Sequence, residues 1–463
     1  RGLGDVYKRQ AQASDMSGWL LMGLPGAIFV SGLTESWIAI GLFIGTYLNW
    51  KILAARLRKM SYAAGDAITI PEYFQKRFFT QNPIIRFACA AIIFVFFLIY
   101  TASAFSSGAK LFNYMFGTDY TLSLTIGALI IISYTFLGGF FAVCWTDLIQ
   151  GLLMFAALVI VPLVCIIQTP DVSAVQFLNA DGAVISNYLN LFENVNGDIA
   201  WTTILSGLAW GLGYFGMPHI LLRFMAIEDE KKLVLSRRIA TVWVVIAMAA
   251  SILIGMVGLG MTKAGALEFL SGSTSETLIV RVASLISQHG VLAAILAGLI
   301  LAGILAATMS TADSQMLAAA SSVSQNILQE FAHLKLSEKQ SLFAARLTIV
   351  CVSVVGVVLA RDPNSSVFGI VSFAWAGFGG AFGAVVLCAL FWKRCNWQGA
   401  LAGMLSGGLM VFVWKYLVSP LGGVFGIYEL LPAFLVSLAV CVVVSLVTPA
   451  PEADILAEFD AAK

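Results

Sequence analysis

Twelve stretches of this chain are apolar over the length a helix needs to cross about 30 Å of hydrocarbon. They fall at 14–34, 36–54, 84–107, 121–141, 145–168, 199–225, 237–262, 290–325, 343–360, 367–392, 398–418 and 428–448, numbered below as spans 1 to 12. Runs such as Ala88–Ile99 and Val436–Val447 are apolar on every face, whereas a closed β-barrel needs alternating segments of about ten residues. All twelve are therefore expected to be helices, and the fold class is an all-α integral membrane protein. Composition agrees: of 463 residues 60% are hydrophobic and 11% charged, so most of the surface has to face a lipid bilayer. A net charge of +1 leaves no basic face for nucleic acid. No phosphate-cradling glycine loop, GxSxG or metal-spaced histidine cluster supports an enzyme, and the seven cysteines, without a CxxC pair, read as buried thiols.

The charges inform by position. Placing residues 1–13 in the cytoplasm gathers Lys51, Arg56, Arg58, Lys59, Lys76, Arg77, Arg223, Lys231, Lys232, Arg237, Arg238, Lys335, Lys339, Arg346, Lys393 and Arg394 on the inside. The outside keeps only Lys110, Lys263, Arg281, Arg361 and Lys415, and the long loop 169–198 holds no Lys or Arg. The positive-inside rule then orients the chain with the tail PAPEADILAEFDAAK in the cytoplasm, as a solvated or frayed helix.

Two spans interrupt their own helical pattern. Span 1 holds Ser14, Asp15, Ser17, Gly18 and then Pro25-Gly26, and span 6 holds Gly211, Gly213, Gly216 and Pro218. Backbone freed at membrane depth needs partners, so such breaks line cavities or are covered by neighbouring helices. Spans 1 and 6 occupy matching places in two five-helix halves, the pattern of a secondary transporter with an inverted repeat and a midplane site, with spans 11 and 12 as additions. The plainer alternative is a set of glycines at tight helix crossings.

Asp15, an intramembrane carboxylate, is a functional candidate whose cheapest partner is a cation, and it also suits the cap of a broken helix. Span 8 carries hydroxyls at Thr308, Ser310, Thr311 and Ser314 beside Asp313. A hard cation such as sodium is satisfied by such oxygens together with backbone carbonyls from the broken span 1; taken singly, each hydroxyl would rather bond back to its own helix. Asp147 reads equally as an inner ion relay or a helix cap. Trp19, Tyr100, Trp210 and Tyr214 offer aromatic surface with polar handles near the breaks, suited to a small organic solute. His219, His289 and His333 are isolated, and His219 is expected to bond the backbone freed beside Pro218.

The stretches ASDMSGWLLMGLPGA (13–27), SGLTESWIAIG (31–41), YTFLGGFFAVCWTD (134–147), WGLGYFGMPHILLRFMA (210–226), ILAATMSTADSQ (304–315), VSFAWAGFGGAFGAVVL (371–387) and QGALAGM (398–404) resemble the solute:sodium symporter family, over almost the whole length from Ala13 to about Val447. The first and fourth are most like its proline-carrying branch. The resemblance implies a five-plus-five inverted-repeat, leucine-transporter-like bundle, with repeat one at 13–168, repeat two at 199–392 and extra helices at 398–448. It implies a sodium site from the carbonyls of Ala13, Met16 and Ala307 and the hydroxyls of Ser310 and Thr311, supported by Asp15. A second ion is left open near Asp147, Asp313 and Ser314. A solute site for L-proline maps to Ser17, Trp19, Gly23, Tyr100, Trp210, Tyr214 and Pro218.

The family carries one further helix ahead of the broken one. Here residues 1–12, beginning RGLGDVYKRQ, abut the motif and read as a non-native or truncated start. The expected activity is sodium-coupled uptake of L-proline by alternating access across a bacterial inner membrane, through a transporter domain at 13–449 followed by a tail at 450–463. Sodium is the co-transported ion and no obligate protein partner is inferred. The alternatives are a sodium symporter for another small solute, such as an organic acid, sugar or vitamin, and a membrane sensor, which would need a large signalling domain.

Overall fold

A computed structural model describes residues 17–67, 69–80, 82–168, 177, 184–227, 233–263, 265–332, 334 and 336–461. The expected sites at Ala13, Asp15 and Met16 lie outside the described residues. The elements of the described residues are helices, joined by loops, with an isolated bridge between Glu193 and Ile199. Among the described residues eight helices are long and apolar enough to cross a membrane, with three shorter apolar ones at Trp19–Ser31, Tyr120–Ser133 and Ile149–Val164.

Span 1 runs through a wide turn, Trp19–Gly23, into α1 (Leu24–Ser31). Pro25-Gly26 does not break it: Pro25 stands in the first turn of α1, where its missing N–H is absorbed by the wide turn before it. Span 2 is α2 (Trp37–Leu48), a second wide turn at Asn49–Leu53 and α3 (Ala54–Ala63), longer than its apolar window because the helix continues through the polar turns that carry Arg56 and Arg58. The short α4 (Ile70–Arg77) is capped by Thr69, whose side chain accepts from the Glu72 N–H. Span 3 is α5 (Ile84–Phe116), ended by left-handed Gly117.

Spans 4 and 5 form one continuous helical element, α6 (Tyr120–Gln168), where the sequence predicts two. Gly127 lies against Gly108 and Phe112 of α5, Ser107 of α5 and Thr308 of span 8 both flank Gly18, and Gly303 lies against Ala157. Thirty residues of straight helix would span about 45 Å, more than this chain of contacts can cover. The element is therefore not straight between Gly127 and Ala157.

Span 6 breaks as expected. Helix α7 (Trp201–Ala209) tightens into a 3-10 turn at Trp210–Phe215, passes through an extended Met217, and restarts as α8 (Pro218–Ala226). Its glycines also serve the plainer role: a Cβ on Gly45 would come within 2.3 Å of the Gly211 carbonyl oxygen, and one on Gly41 within 2.2 Å of that of Gly207, so spans 2 and 6 meet backbone to backbone. Beyond it lie α9 (Leu233–Lys263), α10 (Leu278–Ser287), α11 (Val291–Ser321), α12 (Glu338–Leu359) with a Ser337/Gln340 capping box, α13 (Val367–Phe378), a wide turn at Gly379–Gly383, and α14 (Ala384–Phe391). Helices α15 (Trp397–Val413) and α16 (Leu430–Val447) close against each other through Gly399, Gly403 and Gly407.

Two expectations change at the ends of the bundle. Lys110, placed by sequence in an outer loop, is buried inside α5, paired with Glu276 at 2.5 Å. Glu276 in turn accepts from the Val367 and Phe368 N–H groups and from Ser366 Oγ, which satisfies both buried charges and caps α13. The tail is docked rather than frayed: α17 (Ala453–Ala461) buries Phe459 between the guanidinium groups of Arg56 and Arg77, at 4.8 and 4.9 Å. Those two arginines also donate to the Leu390 and Ala389 carbonyls at the end of α14.

Candidate functional site

The oxygen-rich part of the site is one face of α11. Ala307, Ser310 and Thr311 are each about 1% exposed, at positions i, i+3 and i+4 of a helix, which places them on a single stripe. The hydroxyl of Ser310 donates to the Ala307 carbonyl at 3.2 Å, and Thr308 bonds back to the Ile304 carbonyl at 2.9 Å. The self-bonding expected of single hydroxyls is thus present, yet each oxygen keeps lone pairs for a cation. Span 1 reaches this face at Gly18, where a Cβ would stand 3.4 Å from Thr308 Oγ1 and 2.6 Å from Ser107 Oγ. One turn along α11, Asp313 is fully buried and accepts from the Ser314 N–H at 2.6 Å, while the Ser314 hydroxyl donates to Asp147 Oδ2 at 3.4 Å. Asp147, Asp313 and Ser314 therefore do come together, across the contact of α6 with α11.

The aromatic part centres on Trp210, in the 3-10 turn of span 6. Its ring is stacked with Trp19 at 5.6 Å, Phe368 at 5.4 Å, Trp375 at 6.1 Å and Tyr428 at 5.2 Å. Tyr214 meets Trp375 edge-on at 5.1 Å, and Gly23 leaves the space that Phe368 fills. Ser17 accepts from the Trp19 N–H at 3.5 Å, and the Tyr100 side chain is buried, with Ser103 donating to its carbonyl. One turn before Tyr100, Phe97 packs on His219, next to Pro218. Of the seven residues expected at a solute site, Trp19, Trp210 and Tyr214 belong to this ring cluster, Gly23 meets it through Phe368 and Ser17 adjoins Trp19, while Tyr100 and Pro218 are each buried on spans 3 and 6. His219 differs from expectation: neither ring nitrogen has a hydrogen-bond partner among the described residues, because α8 restarts at Pro218 and Ile220 and Leu221 bond the Met217 carbonyl instead.

The description of the sodium:solute symporter family matches residues 6–407. The chain belongs to that family. The sodium/proline symporter of Haemophilus influenzae is 42% identical to it, spanning all of this chain and 91% of its own length. The osmoregulated proline transporter of Bacillus subtilis is 42% identical over 97% of this chain and 89% of its own, and the sodium/proline symporter of Escherichia coli 40% over 99% and 89%. Among solved structures, a Na+-coupled sialic acid symporter in a substrate-bound outward-open state is similar with a TM-score of 0.75 at 17% identity, over 98% of this chain and 92% of that one. A nucleobase-cation-symport-1 family transporter in a closed conformation matches with a TM-score of 0.52 at 14% identity, over 99% and 96%. These likenesses carry the fold, a multi-pass membrane bundle of the leucine-transporter type.

Three rings of this symporter escaped the sequence reading. Phe368 and Trp375 lie in span 10, whose glycine-rich stretch reads as close packing. That is also true, since a Cβ on Gly379 or Gly380 would strike Leu430 or Ala433. Tyr428 opens span 12, read as outside the core. For these rings the only sequence signal is an aromatic residue in an apolar span, which packing alone explains just as well.

Proposed function

We propose that this symporter couples sodium entry to the uptake of L-proline by alternating access across a bacterial inner membrane, with its C-terminus in the cytoplasm. The observation that carries the reading is the meeting of an aromatic enclosure around Trp210 with the oxygen face of α11 at Gly18, in a chain about 40% identical along its length to sodium/proline symporters. Sodium takes the Ala307 carbonyl and the Ser310 and Thr311 hydroxyls, completed by the carbonyls of Ala13 and Met16 with Asp15 in support. A second ion has its place at Asp147, Asp313 and Ser314. Proline lies among Ser17, Trp19, Gly23, Tyr100, Trp210, Tyr214 and Pro218, its ring on the tryptophan faces.

Span 1 contributes to both ligands, so sodium that orders it raises proline affinity, and by linkage proline raises sodium affinity by the same factor. One sodium moving down a ~100 mV potential supplies ~2.3 kcal/mol, about fiftyfold accumulation at ~1.4 kcal/mol per decade. The cytoplasmic placement of the tail is supported by the docking of α17 among Arg56, Arg77 and Lys393, cations that the positive-inside rule puts there. The test is the melting temperature of the purified protein titrated with L-proline in sodium and in potassium. A proline shift confined to sodium is expected; a shift equal in both ions would refute the coupling.

A further inference from the structure

Tyr428 stands where the appended C-terminal hairpin touches the broken core, and it makes three separate attachments there. Its ring lies nearly parallel to Trp210, at 5.2 Å and 19°. Its hydroxyl donates to the Ser372 carbonyl of α13 at 2.5 Å. Its backbone N–H donates to Ser206 Oγ of α7 at 2.9 Å. Trp375 of α13 adds a fourth tie, its Nε1–H donating to the Trp210 carbonyl at 2.9 Å. The 3-10 turn that carries Trp210 is thus held from behind by one tyrosine that also grips α13, and behind Tyr428 the start of α16 is seated on the wide turn of span 10 by Leu430 and Ala433.

We propose that Tyr428 is a positioning residue for the solute site, through which the last two helices set solute affinity and selectivity by fixing the plane of Trp210. This rests on the reading that Trp210 lines that site. A tyrosine suits the role where a phenylalanine would not: the ring supplies the stack, and the buried hydroxyl, bonded to a main-chain carbonyl, prevents the ring from sliding along Trp210. A tie through span 12 also leaves the oxygen face of α11 untouched, so the effect should separate cleanly from ion binding.

The experiment is sodium-driven uptake into proteoliposomes by the wild type, Tyr428→Phe, Tyr428→Ala and Ser206→Ala. The solute is L-proline or, if the wild type ignores it, whichever member of a panel of amino acids, organic acids and sugars the wild type takes up in a sodium-dependent way. Tyr428→Phe is expected to raise the solute KM about fivefold and Tyr428→Ala about thirtyfold. Half-saturating sodium at saturating solute should stay within twofold of wild type and maximal rate per folded protein within threefold. Tyr428→Phe should also weaken the preference of the carrier for its solute over ring-opened or methylated analogues. Unchanged KM and selectivity in Tyr428→Phe and Ser206→Ala would overturn the proposal even if Tyr428→Ala fails to fold, and so would equal losses of solute and sodium affinity. Wild-type uptake of a solute other than proline would overturn the proline reading alone, since the comparison of variants is then made with that solute.

Discussion

The ion-side and solute-side regions of this symporter are assembled in opposite ways. On the ion side Ala307, Ser310, Thr311, Asp313 and Ser314 all come from one helix, with Asp147 facing them from α6. On the solute side the rings clustered about Trp210 come from four parts of the chain: Trp19, Trp210 with Tyr214, Phe368 with Trp375, and Tyr428. Ligands carried on one helix keep their mutual spacing as that helix moves, and span 1 and α6 only close around them. A site gathered from four elements changes whenever any of them shifts, which is what a carrier needs of the half that must open and close around its cargo.

The harshest way to break this arrangement is to remove what both regions stand on. Gly211→Val puts side-chain atoms where the Gly41 carbonyl already sits 2.3 Å from the Cβ position, and it should cost about 3 kcal/mol. The measurement is the melting temperature in detergent, and a Tm near that of wild type would show that spans 2 and 6 do not need to touch. Next in size, Thr311→Ala should remove about 1.5–3 kcal/mol of ion binding, roughly a tenfold to hundredfold rise in half-saturating sodium, while proline affinity in saturating sodium changes little. Trp210→Ala should do the reverse, raising the proline KM by at least about tenfold while the melting shift produced by sodium alone persists. Indistinguishable losses of both ligands in these two variants would erase the division between the regions. The smallest effects belong to the tail. Phe459→Leu keeps the apolar seat but loses the two guanidinium contacts, for about 1 kcal/mol of stability. Lys393→Ala, which breaks a half-exposed pair with Asp460, should be hard to detect, at about 0.5 kcal/mol or less by chemical denaturation.

The same contrast explains what was legible beforehand. The oxygen face of α11 can be read from spacing because residues three and four apart share a helix face. Trp19, Tyr100, Trp210 and Tyr214 were legible as aromatic residues near interruptions, and their convergence came from resemblance rather than spacing. Tyr428 was not legible at all. It follows Trp210 by more than two hundred residues, and nothing along the chain records that the start of span 12 lies over the break in span 6. His219 was misjudged because its neighbour Pro218 removes a backbone donor, so the local hydrogen bonds close without the imidazole.

By itself the sequence determined which segments are apolar enough to be helices, which end of the bundle gathers the cations, that span 6 is interrupted, and that one helix carries a stripe of hydroxyls. Each of these depends on residue type and on neighbours within a turn or two. Only the tertiary structure decided that Pro25 is absorbed by a wide turn, that Lys110 is buried against Glu276, that the tail is clasped by Arg56 and Arg77, and which rings enclose Trp210. In a bilayer the hydrophobic effect gives helices no preference for one another over lipid, so their pairing rests on close fit, buried polar ties and ring stacking. Those are properties of surfaces brought together in space, and no local pattern encodes them.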